Sequence, residues 1–312
     1  MQISLSKRPP GTVGLDVDGS FVAAAIVDHG TIGKVASTDL AAGMTVDGEV
    51  VDAHALSATL KDFFRRYSLP KTVHIGVANQ QIVVRQLEIP LIQDETERDA
   101  AVRFQAAEAI AMPLDEAVVD YQTIGVSQGA DGVARERLLV VAARESMVSQ
   151  LVAAVKGAGL KPASVDLNAF ALVRMLADPA SSPADSSQPA RVLCHLGGIT
   201  NLAIAVGSTC VFTRPLRAVW NPEDENAAST LAEEIRLSID FHMTQPEASP
   251  VRQVVLTGPG AADGQLAGDL AVRTGLDVTV ADPLGRLGTH TVSSDDDPYR
   301  YTVAAGLALG AA

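Results

Sequence analysis

The sequence predicts an α/β fold made of two related β-β-β-α-β halves, with a further α/β module inserted between them. Three observations carry that reading. Residues 12–38 and 191–214 are each a triplet of short β-rich runs broken by glycine turns. Each triplet leads into an amphipathic helical stretch and then an apolar strand, so the repetition has the scale of a whole lobe. The residues between the two units carry strand and helix patterns of their own.

The first triplet, TVGLDVDGSFVAAAIVDHGTIGKVAST, turns at Asp-Gly and His-Gly. Leu56, Leu60, Phe63 and Phe64 then share one face of a helix over 53–66, and TVHIGV at 72–77 is the strand that follows. The inserted module reads as strand 81–89, helix 94–111, strands 116–125 and 136–143, helix 145–158 and strand 162–167. Pro90 and Pro113 bracket its first helix, and Asp94-x-x-Glu97 is an N-terminal capping pattern. A helix over 168–177 runs into ADPASSPADSSQPA at 177–190, where Pro, Ser and Ala leave little to bury. The main domain boundary is placed there. The second triplet, RVLCHLGGITNLAIAVGSTCVFTR, precedes a helix at about 226–244, with Leu231, Ile235, Ile239 and Met243 spaced at three to four, and a strand at 251–256. The closing RYTVAAGLALGAA reads as a short helix that must pack back on something.

With 312 residues, 47% of them apolar, the chain can bury a sizeable core. Aromatics are only 4%, so Ala, Val, Leu and Ile must build it. A formal charge of −13 argues against nucleic acid as a main partner and against lying on an anionic leaflet. The opening MQISLSKRPPGTVGLDV has no apolar stretch of signal-peptide length, and no later run approaches the roughly 20 apolar residues of a membrane span. The expectation is a cytosolic protein that reaches a membrane through a partner, without inserting directly. Cys194 and Cys210 are too few for a disulfide framework or zinc cluster and are expected on adjacent strands as small apolar residues. The six histidines have no metal-binding spacing, so no metal site is expected from them. Asp295-Asp296-Asp297 reads as a solvated loop, and Glu95, Glu97, Arg98, Asp99 and Arg103 as the wet face of a helix.

Chemistry could sit at three glycine turns. The first is Asp16-Val17-Asp18-Gly19-Ser20, the second His195-Leu196-Gly197-Gly198-Ile199-Thr200-Asn201, and the third Thr257-Gly258-Pro259-Gly260, expected to open a helix. Backbone N–H groups in such turns bind anions, and glycine permits close approach. Alone, each is most simply a hairpin. In this order on a duplicated frame, they suggest a phosphate clamp with a third loop for the nucleoside.

That arrangement resembles the actin/Hsp70/sugar-kinase superfamily, and within it the type IV pilus assembly protein PilM family, with FtsA more distant. The matching segments include VGLDVDGSFVAAAIV at 13–27, VVRQLEIPLI at 83–92, MPLDEAVVDYQTIG at 112–125, LLVVAARESMVSQLVAAVKGAGLKPASVDLNAFALVRML at 138–176, VVLTGPGA at 254–261 and YTVAAGLAL at 301–309. The resemblance implies an actin-like fold, ribonuclease H-like in each half. Domain 1 would be 1–176, subdomain 1A with 1C inserted at about 80–167; after the linker, domain 2 would be 191–312, subdomain 2A with a reduced 2B. Helix 299–312 would pack back on domain 1. It also implies a cytoplasmic scaffold at the inner membrane that binds the N-terminal tail of a PilN-like protein near 1A and 1C, together with other pilus motor or platform components. ATP and Mg2+ would lie in the cleft, contacted by Asp16, Gly19, Ser20, Gly197, Gly198, Thr200, Asn201, Gly258, Pro259 and Gly260, with Asp16 toward the metal.

Several positions depart from the family pattern. Where the family's first loop reads Asp-Ile-Gly-Ser-Ser, this chain has Asp18 at the glycine, and a carboxylate repels phosphate. Ala23 replaces the usual lysine, and His195 the aspartate of the second loop. A neutral imidazole is a poor ligand for a hard, oxygen-preferring ion. Only PLRAVWNPEDEN separates the second triplet from its helix, too short for a full 2B lobe, and Trp220 within it is either an interaction anchor or a cap on the truncated lobe. These changes favour a scaffold with weak or lost ATP binding and no catalytic residue. The alternative is an active ATPase or sugar-kinase-like phosphotransferase. Motility, competence for DNA uptake and secretion are not separated by sequence.

Overall fold

The computed structural model describes residues 13–28, 30–128, 132–176, 188–216, 220–245, 248–281, 283, 285 and 297–310. Two five-stranded sheets organise it. In the first, β1 (Val13–Val17), β2 (Phe21–Asp28) and β3 (Thr31–Asp39) form an antiparallel meander, and β6 (Thr72–Val77) lies parallel to β1. In the second, β11 (Ala190–Leu196), β12 (Thr200–Val206) and β13 (Thr209–Pro215) repeat the meander, and β14 (Val251–Thr257) lies parallel to β11. The outer parallel strands are β10 (Lys161–Leu167) and β15 (Asp277–Val280). Read outward from the meander, the orders are β3-β2-β1-β6-β10 and β13-β12-β11-β14-β15. The two triplets therefore belong to separate sheets of identical topology, the arrangement expected of duplicated halves.

The helix α1 (Ala53–Arg66) forms because Asp52 accepts from the Ala55 N–H at 2.9 Å and because Leu56, Leu60, Phe63 and Phe64 fall together into the first core. Its counterpart α5 (Ala227–Met243) buries Leu231 and Ile235 under the second sheet, but Met243 at its end is exposed. A small hairpin of β4 (Thr45–Val46) and β5 (Glu49–Val50) turns on Asp47 and Gly48, both at positive φ, as Asp-Gly turns do.

The inserted module is a three-stranded antiparallel sheet, β7 (Val83–Pro90), β9 (Ala134–Arg144) and β8 (Ala117–Gln128) in that order, under α2 (Glu95–Ala109). Its separate core includes Ile89, Val102, Ala106, Leu138 and Val140. Asp94 caps α2 by accepting from the Glu97 N–H at 2.9 Å. Two elements grouped with the insertion by sequence lie elsewhere. The helix α3 (Glu145–Gly157) packs on α1, where Ser57 Oγ donates to Ala154 O at 2.8 Å, and β10 pairs with β6 in the first sheet. Local pattern gives an element's type, whereas its sheet is fixed by pairing with a strand some ninety positions earlier.

Each half ends in a helix, and the two helices exchange sheets. The helix α4 (Asn168–Leu176) leaves β10 of the first sheet and lies against β12 and β13 of the second. The helix α7 (Thr302–Leu309) leaves the second half and packs on β1 and β2. The two cross each other closely, burying Ala171, Leu172, Val303 and Leu307 between them. A Cβ on Gly306 would stand 2.0 Å from the Ala171 carbonyl oxygen, and one on Gly14 would stand 1.9 Å from that of Ala304.

Cys194 lies on β11 and Cys210 on β13, with β12 between them, so they are not on adjacent strands; both are buried free thiols. Residues 177–187 of the linker, and Asp295 and Asp296, fall outside the described residues. Among the described residues, no helix is long and apolar enough to cross a membrane.

Candidate functional site

The ends of β1 and β11, equivalent strands of the two sheets, bring the first two glycine turns against each other. Asp16 is the fourth residue of β1, and its equivalent near the end of β11 is His195. The turn after β1 carries Asp18 and Gly19, the latter at φ 97°. Asp18 is 2% exposed, and its Oδ2 accepts from the Gly198 N–H at 2.6 Å. The Ile199 N–H donates to the same carboxylate. A Cβ on Gly197 would come within 2.3 Å of Asp18 Oδ2, and one on Gly198 within 2.4 Å of Asp18 O. Glycine is therefore required at both positions, so that one lobe's loop can lie directly on the carboxylate of the other.

Electrostatically, the junction is crowded with uncompensated polar groups. Asp16 is fully buried; burial, then the neighbouring Asp18 charge, push its pKa well above the ordinary carboxylate value, with Asn168 opposing. Asn168, the first residue of α4, donates from Nδ2 to Asp16 Oδ1 at 3.3 Å. Burial also pushes Asp18 up to about 7, against the pull of the Gly198 and Ile199 N–H groups and of Arg300. His195 is driven down to about 4 by burial and is a neutral imidazole. Among the described residues, Asp16 Oδ2 and both His195 ring nitrogens have no hydrogen-bond partner.

The remaining sequence candidates divide. Thr200 and Asn201 are buried at the start of β12, Asn201 opposite His195 in register, and among the described residues Thr200 Oγ1 and Asn201 Nδ2 have no partner. Ser20 is exposed, and its carbonyl oxygen accepts from the Leu40 N–H of its own lobe at 2.9 Å. Gly258, at φ 85°, packs on the Leu196 backbone, and Pro259 and Gly260 begin a 3-10 turn, Pro259–Ala262. The helix expected directly after this turn, α6 (Leu266–Thr274), starts later. Trp220 leans on Gly260, where a Cβ would stand 2.7 Å from its ring, so the indole covers the third loop. Sequence reasoning missed Asn168, because nothing local marks a helix-initiating Asn as the neighbour of an aspartate about 150 residues earlier. It also drew no metal-ligating role from His195, since the histidine's companions are carboxylates from the other lobe.

A triphosphate does not fit this cradle as it stands. The second-loop N–H groups that would face phosphate already serve the Asp18 carboxyl group and are not free to hold a phosphate oxygen.

A family model described as type IV pilus assembly protein PilM matches residues 21–217. Among solved structures, the chain is similar to one titled PilM-PilN type IV pilus biogenesis complex, with a TM-score of 0.81 at 21% identity, covering 96% of this chain and 98% of that one. It is similar to the ethanolamine utilization protein EutJ from Carboxydothermus hydrogenoformans, with a TM-score of 0.53 at 13% identity, covering 97% and 90%. It is also similar to the cytoplasmic domain of EpsL, an inner membrane component of the type II secretion system of Vibrio cholerae, with a TM-score of 0.50 at 12% identity, covering 80% and 82%. At these identities the likeness is one of fold, the actin-like ATPase fold.

Proposed function

The chain belongs to the type IV pilus assembly protein PilM family, and from that premise we propose a cytoplasmic scaffold that captures the N-terminal tail of a PilN-like inner-membrane protein while its nucleotide cleft stays shut. The observation that carries this reading is the 2.6 Å hydrogen bond from Gly198 N–H to Asp18 Oδ2. It closes the two phosphate loops on each other through an internal carboxyl group. A scaffold gains from that closure, because a fixed lobe geometry presents a fixed docking surface.

The inserted module supplies the surface. A cavity of about 340 Å³ opens where β8 of the module meets α4 and the β12–β13 hairpin, lined by Gln122, Thr123, Ile124, Phe170 and Arg174 among others. It combines an aromatic face with amide and hydroxyl groups, a suitable mix for a short extended tail, while the Arg174 guanidinium is held by Asp166 and the Gly306 carbonyl.

Calorimetry on the purified chain tests both halves of the proposal. ATP with Mg2+ should give no heat of binding, whereas a synthetic N-terminal tail of the PilN-like partner should bind, and Phe170→Ala should weaken it. Asp18→Gly restores the family's glycine and frees the second-loop donors, so measurable ATP binding should appear. Tight ATP binding with turnover by the unsubstituted chain would replace the scaffold by an ATPase.

A further inference from the structure

Three buried side chains converge at the lobe junction with too few partners. One donor atom each of Asp16, Asp18 and His195 lies within 4.8 Å of the others, and none of the three residues is more than 2% exposed. Among the described residues, both His195 ring nitrogens and Asp16 Oδ2 are unpaired. Buried groups in that condition have lost water and gained nothing in return. Arg300 is the nearby cation acting on Asp18, but its guanidinium donates to Asp39 Oδ1 at 2.7 Å and stacks over Phe21 at 5.0 Å.

We propose that Asp16, Asp18 and His195 together ligate one divalent first-row transition ion of the zinc type, directly and without nucleotide. One imidazole nitrogen with two carboxylate oxygens suits zinc, cobalt or manganese better than magnesium, which prefers oxygen ligands and retains its waters. Three protein donors leave a further position for water. Bonds of about 2.0–2.2 Å need the donors drawn somewhat closer together than 4.8 Å. The surroundings already orient the ligands. Asn168 holds Asp16 Oδ1 and leaves Oδ2 free, while Gly198 holds Asp18 Oδ2. Such outer hydrogen bonds fix ligand direction at metal sites. Because the carboxylates come from the β1 end and the imidazole from β11, the ion would tie the lobes together.

The test uses the full chain, stripped with chelator, without nucleotide or partner, so its result is independent of the scaffold reading. Co2+ is the spectroscopic probe. One Co2+ should bind per chain, give visible ligand-field bands, and be displaced by Zn2+ but not by Mg2+. His195→Asn, which keeps most of the buried volume, should weaken binding by more than the roughly 10- to 100-fold that loss of an outer-shell partner costs. His54→Ala, on the exposed start of α1, should change nothing. No stoichiometric Co2+ uptake by the unsubstituted chain would overturn the proposal whether or not any variant folds. So would uptake that survives both His195→Asn and Asp16→Asn.

Discussion

Asp18 and His195 look like losses in the sequence, a glycine and an aspartate gone from two loops. In the fold each has a place: Asp18 occupies the anion-binding donors of the opposite loop, and His195 faces two carboxylates. The loops themselves were legible because glycine turns are local. The meeting of Asp18 with Gly198 was not, because 180 residues separate them. The cysteines make the same point. Their burial was expected, but their strands were misplaced, since alternation does not number the strands of a sheet. Burial pushes both thiols up to about 12. A raised thiol pKa depletes the reactive thiolate at every pH below it, and burial blocks access as well. Thiol reagents at pH 8 should therefore leave Cys194, which is fully buried, unmodified in the native chain and label it in denaturant, as read by peptide mass mapping. Fast native labelling of Cys194 would mean that the second core opens readily.

Among the elements, α1 and β6 were read to their ends because an amphipathic face and an apolar run are sufficient local signals. The β4–β5 hairpin was not, since two-residue strands carry no periodicity and only Asp47-Gly48 marks the turn. The crossing of α4 and α7 offers a sharper test of packing against propensity. Alanine for glycine inside a helix ordinarily stabilises by up to about 1 kcal/mol. At Gly306 the new methyl would meet the Ala171 carbonyl at 2.0 Å, a backbone atom that cannot swing aside. Overpacking of this kind costs about 1–3 kcal/mol and sometimes more, so packing should win. Gly306→Ala should lower the urea midpoint, and an unchanged or raised midpoint would show that the crossing is looser than described.

For the molecule as a whole, the duplicated topology was visible because both halves repeat one succession of triplet, helix and strand, and the sheets repeat it strand for strand. The exchange of terminal helices was invisible. An apolar helix after a strand shows that it must be buried, but its sequence does not say under which sheet. The same limit explains why α3 and β10 were grouped with the insertion.

That exchange governs what a cut chain can do. Severed between Leu176 and Ala190, the first piece would keep α4, which covers the second piece's strands, and the second would keep α7, which covers the first's. Each piece alone keeps helices on one face of its sheet but loses the cover of the other, so each should be aggregated or molten when made separately. Produced together, they should assemble into a one-to-one complex that co-elutes at the intact protein's size. Two pieces that each ran as stable, well-folded monomers would mean that the borrowed helices are dispensable.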